Sequence, residues 1–303
     1  MMLSLIGTKG IMKQLFEQGE SSQSNLNIII TGIPRSGTSY LCGLLSKTDN
    51  SVVINEPNGM SRYMSVEEYP KVVAKYYRDI RLAVLSGEKI ENKMHQGKII
   101  EDTSLIQSLE YYSPELFDNN FSICTKNTLG YLSRLDKLKV IMPDTSIFAC
   151  IRNPIDTIAS WKSSFEHLRT VVVANDYIIG SKNDPYLTEW QKEKIVKISE
   201  EKDLSRKRAM FWAYLAEWIF INKHELTVIS YDDIVLSPVK IVSLILGRVA
   251  GERGIVFKEQ PEPSKIRNMK RSGLNDADYN AINEFCNPVA SRFECLNVSY
   301  EDK

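Results

Sequence analysis

A chain of 303 residues with 38 Lys plus Arg against 38 Asp plus Glu carries no net formal charge. No global field therefore draws it to nucleic acid or to an anionic membrane, and any basic site has to be local. Five cysteines (Cys42, Cys124, Cys150, Cys286 and Cys295) lie scattered without a C-x-x-C pair, and only three histidines occur, which argues for reduced core thiols and gives a metal site no support.

In chain order, residues 1–24 read as a short helix and a polar linker, and residues 25–303 as one domain large enough to bury a substantial core. The apolar run Met1 to Gly7 is too short to span a bilayer, and Lys9 and Lys13 lie on the wrong side of it for a secretory signal. With no apolar stretch of about 18 residues anywhere, a cytoplasmic protein without membrane contact is expected. Apolar strand candidates follow at 27–31, 51–54, 121–125, 146–151 and 226–230. Helical candidates fall at 66–85, 130–137, 154–164, 204–223 and 238–250. This alternation argues for an α/β fold, a central parallel sheet with helices on both faces. Segments 86–120 and 165–200 lack a clean period and read as insertions that either cover a site and bind substrate or decorate the surface.

The stretch Asn27-Ile-Ile-Ile-Thr-Gly-Ile-Pro-Arg-Ser-Gly-Thr-Ser39 carries the most chemistry. A β-branched run enters a glycine-flanked turn that opens into a helix, an arrangement that aims successive N–H groups and a positive helix terminus at one anion. Gly32 and Gly37 have Walker A spacing, but Thr38 stands where a kinase or ATPase has its lysine, and the cation is instead Arg35. Ser36, Gly37, Thr38 and Ser39 complete the cradle. A second strand-to-helix junction follows at Ile151-Arg152-Asn153-Pro154. Pro154 suits the first helical position, and Arg152 with Ser160 can converge on a further phosphate.

Together, Pro34-Arg-Ser-Gly-Thr-Ser39 and Arg152-Asn-Pro-x-Asp-x-x-x-Ser160 resemble the signature pair of the P-loop sulfotransferases, with Val228-Ile-Ser-Tyr-Asp-Asp-Ile234 similar to that family's late strand and acidic turn. The resemblance spans roughly residues 27 to 250. It implies 3′-phosphoadenosine 5′-phosphosulfate (PAPS) as donor, with no metal. The first motif would wrap the phosphosulfate, and Arg152 and Ser160 would hold the 3′-phosphate. It also implies an acceptor with a hydroxyl or amine, whether small molecule, sugar, lipid or protein. Lys126 resembles the family lysine on the bridging oxygen. Thr128 stands where the small-molecule enzymes have a histidine, a departure from that branch.

Glu56 is the base candidate instead. It follows a strand, and its interval from Arg35 is similar to that in tyrosylprotein sulfotransferases. A raised pKa in a partly dry site would suit it to accept a proton. Arg35, Glu56 and Lys126 are thus the expected catalytic set. His95 and His167, in the insertions, are the other base candidates, and His224 reads as structural. The aromatic run Lys207 to Phe220 reads as core, and the resemblance leaves open an adenine contact by Trp212 or Tyr214. The basic run holding Lys265, Arg267, Lys270 and Arg271 is either a loop closing over the 3′-phosphate or a solvated one. Two alternatives stay open: a phosphotransferase on the same cradle, and a non-catalytic module that binds the bisphosphate nucleotide.

Overall fold

The computed structural model describes residues 27–57, 69–102, 108–117, 119–171, 184–250, 254–266 and 271–294. The expected N-terminal helix and linker lie outside these residues, as do Cys295, Arg267 and Lys270.

The chain runs β1 (Asn27–Gly32), α1 (Thr38–Leu45), β2 (Ser51–Asn55), α2 (Tyr69–Leu85), β3 (Ile90–Asn92), β4 (Met94–His95), β5 (Lys98–Ile99), β6 (Glu110–Tyr112), β7 (Ser122–Lys126), α3 (Thr128–Ser133) and α4 (Leu135–Ile141). It continues through β8 (Ser146–Ile151), α5 (Pro154–Ser163), α6 (Glu166–Arg169), α7 (Glu189–Glu200), α8 (Leu204–Ile221), β9 (Thr227–Ser230), α9 (Tyr231–Leu236) and α10 (Pro238–Ala250). A 3-10 turn at Arg271–Gly273 precedes α11 (Asp276–Ala281), a π-helical turn at Ile282–Cys286 and α12 (Asn287–Ala290).

Five strands pair in the order β2-β7-β1-β8-β9, each parallel to its neighbours. Both faces are covered, which is why the strands read as continuous apolar runs rather than alternating ones. Ile28 and Ile30 of β1 pack with Leu41 and Leu45 of α1 and with Val242 and Ile245 of α10. Ile29 faces the other way, into a larger cluster with Val73 and Tyr77 of α2, Ile158 and Trp161 of α5 and Trp212 of α8. The thiols of Cys42, Cys124 and Cys150 are free and buried in the first of these clusters, and that of Cys286 in the second.

The strand expected at 121–125 begins one residue later and includes Lys126. The helix expected over 130–137 is two, α3 and α4, separated at Arg134. Its backbone leaves the helical region, at φ −120° and ψ 26°, and its fully buried side chain pairs with Asp184 at 2.5 Å. Segment 86–120 contains two small antiparallel ribbons, β3 with β6 and β4 with β5, too short to leave a period in the sequence. In segment 165–200, α7 starts from a capping box formed by Thr188 and Gln191, a Thr-x-x-Gln signal present in the sequence. No helix among the described residues is long and apolar enough to cross a membrane.

Candidate active site

The carboxyl ends of the five parallel strands lie side by side, and each delivers a residue to one rim. Such rims are where open α/β sheets bind ligands. At the centre, the loop after β1 is shaped by conformations that few residues tolerate. Gly32 has φ 133°, and a Cβ there would lie 2.1 Å from the Cys150 carbonyl oxygen on the neighbouring strand. Gly37 has φ 85°, and a Cβ there would meet the Tyr231 ring at 2.8 Å. Arg35 itself sits at φ 72°. Trp161 Nε1 donates to the Pro34 carbonyl at 2.9 Å and so ties α5 to the loop. Gly37 caps α1 without any side-chain hydrogen bond, leaving the first-turn N–H groups available to an anion. Ser36 Oγ is buried with no hydrogen-bond partner among the described residues, as an oxygen held for an anion in this cradle would be.

One strand over, Lys126 ends β7. Its ammonium is almost wholly buried, donates to Ser39 Oγ at 3.1 Å and pairs with Glu56 Oε1. Lys93, on the turn between β3 and β4, pairs with the other Glu56 oxygen. Glu56 is positioned by a backbone bond from its N–H to the Lys126 carbonyl, 3.0 Å, and by its own left-handed φ of 54°. Burial favours the protonated carboxyl, but Lys126 and Lys93 outweigh it and hold the group at about 2. This corrects the expectation of a raised pKa: the raising effect of burial is present, and two ammonium groups overwhelm it.

On the other side, Arg152 leaves β8 as a buried guanidinium stacked over the Tyr231 ring, 4.1 Å to its centroid. Burial lowers its pKa, opposed by Tyr231 and Asp156. Asn153 caps α5 by accepting from the Asp156 N–H, with Pro154 in the first turn. Asp156 lies 3.9 Å from Arg152 and accepts from Arg271 Nε at 3.0 Å, which brings Arg271, the last cation of the C-terminal basic run, beside Arg152. Ser160 Oγ accepts from Arg35 Nε at 3.0 Å, which ties α5 to the cradle.

The Sulfotransferase family profile matches residues 27–250, most of the chain. The chain belongs to the sulfotransferase family. Among solved structures, similarity extends to a sulfotransferase from Alicyclobacillus acidocaldarius (15% identity, 88% of this chain and 93% of that one, TM-score 0.44). It extends also to sulfotransferase STF9 from Mycobacterium avium (12% identity, 93% and 81%, TM-score 0.45). No curated protein matches the chain.

Two residues of this candidate site carry no signal in the sequence. Asp102 forks onto Arg35 with both oxygens, at 2.8 and 2.9 Å, and Lys93 clamps Glu56. Both come from the insertion between β2 and β7, whose aperiodic sequence gave no register. His167, in α6, lies within electrostatic reach of Glu56. Burial lowers its pKa, and the Glu56 charge opposes that. His95 is exposed in the β4–β5 ribbon, and His224 is exposed before β9. Trp212 and Tyr214 are both core residues, 0% and 2% exposed, so neither ring offers a face to an adenine. Thr128 starts α3, and its carbonyl accepts from Thr31. Lys265 is exposed.

Proposed function

We propose that this cytoplasmic enzyme transfers a sulfuryl group from PAPS to a hydroxyl or amine of an acceptor, releasing adenosine 3′,5′-bisphosphate. The observation that carries this reading is the pair of cationic pockets on adjacent strands. The Arg35 cradle follows β1, Arg152 follows β8, and the two strands are in register at Gly32 and Cys150. A nucleotide with an anion at each end of its ribose suits that pair. The buried Ser36 hydroxyl, the side-chain-free glycine turn and the uncapped α1 terminus all fit a phosphosulfate.

Within this reading, Arg35, Ser36, Gly37, Thr38 and Ser39 hold the phosphosulfate, and Arg152 holds the 3′-phosphate with Arg271 behind it. Ser160 acts by steering Arg35. As the bond from sulfur to the bridging oxygen breaks, negative charge gathers on the leaving 5′-phosphate, and Lys126 and Arg35 stabilise it. Glu56 then takes the acceptor proton while the acceptor oxygen or nitrogen bonds to sulfur. Its low proton affinity belongs to the state in which both lysines clamp it; an ammonium drawn toward the leaving phosphate gives that affinity back.

Calorimetric titration tests the reading. Adenosine 3′,5′-bisphosphate should bind more tightly than ADP or ATP, without added magnesium. Equal affinity for the three nucleotides would remove the donor assignment.

A further inference from the structure

Arg35 is the cation of the cradle, yet the edge it would offer a phosphosulfate already holds a carboxylate. Nη1 and Nη2 donate to the two oxygens of Asp102 at 2.8 and 2.9 Å, and Nε donates to Ser160. A carboxylate and a phosphosulfate match the same planar fork, so the two compete for it. Asp102 stands two residues beyond Ile100, whose carbonyl accepts from the buried Asn55 side chain at 2.8 Å. The competing carboxylate is thus tethered to the end of β2. Neither partner is sealed in, with side chains 19% and 30% exposed, and an ion pair open to water exchanges at low cost.

We propose that Asp102 is an internal competitor of the donor: it occupies Arg35 until the phosphosulfate displaces it, and so sets donor affinity. This rests on the donor reading above. Asp102 keeps Arg35 neutralised and pointed along the cradle in the free enzyme. Its displacement puts a carboxylate beside the bound donor, where it repels a second anion.

The test is calorimetric titration of adenosine 3′,5′-bisphosphate onto wild type, Asp102→Asn, Arg35→Ala and the double variant, with Asp102→Ser as a second replacement should the first fail to fold. Removing the competitor should tighten binding by about fivefold, and the gain should vanish when Arg35 is absent. A residue that merely braced the loop would do the opposite, so unchanged or weaker binding, or a gain that survives Arg35→Ala, overturns the proposal. Inorganic pyrophosphate, titrated in parallel, separates the two readings. If pyrophosphate gains from Asp102→Asn while the bisphosphate binds no variant, the exchange stands and the donor assignment falls. If neither anion gains, the exchange falls.

Discussion

Arg152 and Tyr231 form a stacked pair whose ring also closes the wall behind Gly37: the guanidinium lies 4.1 Å from the ring centroid, and the ring edge fills the space a Cβ at Gly37 would need. One aromatic side chain therefore braces both of the proposed anion pockets. Tyr231→Ala should weaken adenosine 3′,5′-bisphosphate by about tenfold, the scale of a desolvated cation–π contact. Arg152→Ala should cost at least about tenfold, the scale of a hydrogen bond to a charged group. In both variants ADP should lose less than the bisphosphate, and paired titrations of the two nucleotides measure the difference.

Arg35→Ala and Lys126→Ala should each lower turnover about a hundredfold or more, since one well-placed donor to a developing charge contributes about 3 kcal/mol. Glu56→Gln should lower turnover while leaving bisphosphate affinity within a few fold. Single-turnover rates compared with equilibrium binding separate the two effects, and full turnover in any of these variants removes that residue from the mechanism.

Glu56 also makes stability depend on pH with a definite sign. Its folded-state value is about 2 against an ordinary 4.5, so the unfolded chain takes up the proton first as the solution is acidified. The stabilisation is fully present above 4.5 and is lost as pH falls toward about 2. Urea melts of wild type and Glu56→Gln should therefore differ most near neutrality, and the gap should narrow through that window.

Asp278 is a second, purely structural anchor. Its buried carboxylate accepts from Arg208 at 2.9 Å and from Lys162 at 2.5 Å, joining α11 to α8 and α5. Burial alone would raise its pKa, but these cations hold it at about 2. Asp278→Asn leaves two cations facing a neutral amide and should cost about 3 kcal/mol. Chemical denaturation should reveal that loss with bisphosphate affinity nearly intact.

The parallel sheet and the strand-to-helix loops after β1 and β8 were legible because each has a local cause. β-branched runs buried on two faces, glycines at positive φ and a proline after Asn153 all act over a few residues. The partners of Arg35 and Glu56 were not legible for the opposite reason. Asp102 and Lys93 arrive from short ribbons held by tertiary contacts, such as the buried Asn92 side chain donating to the Val53 carbonyl at 2.7 Å. No period in the sequence encodes such a contact. Glu56 was correctly placed at a strand end, but its proton affinity was misjudged because the direct contact with Lys126 and the second clamp by Lys93 are both tertiary. The break at Arg134 was hidden likewise, for the partner of its buried side chain lies fifty positions away at Asp184.

Gly32 pairs with Cys150 so closely that its missing side chain is part of the β1–β8 ladder. Both loops proposed to hold anions thus spring from one hydrogen-bonded strand pair. On the proposed donor reading the pair works as a calliper: a ligand whose charged ends are spaced otherwise satisfies one jaw at a time.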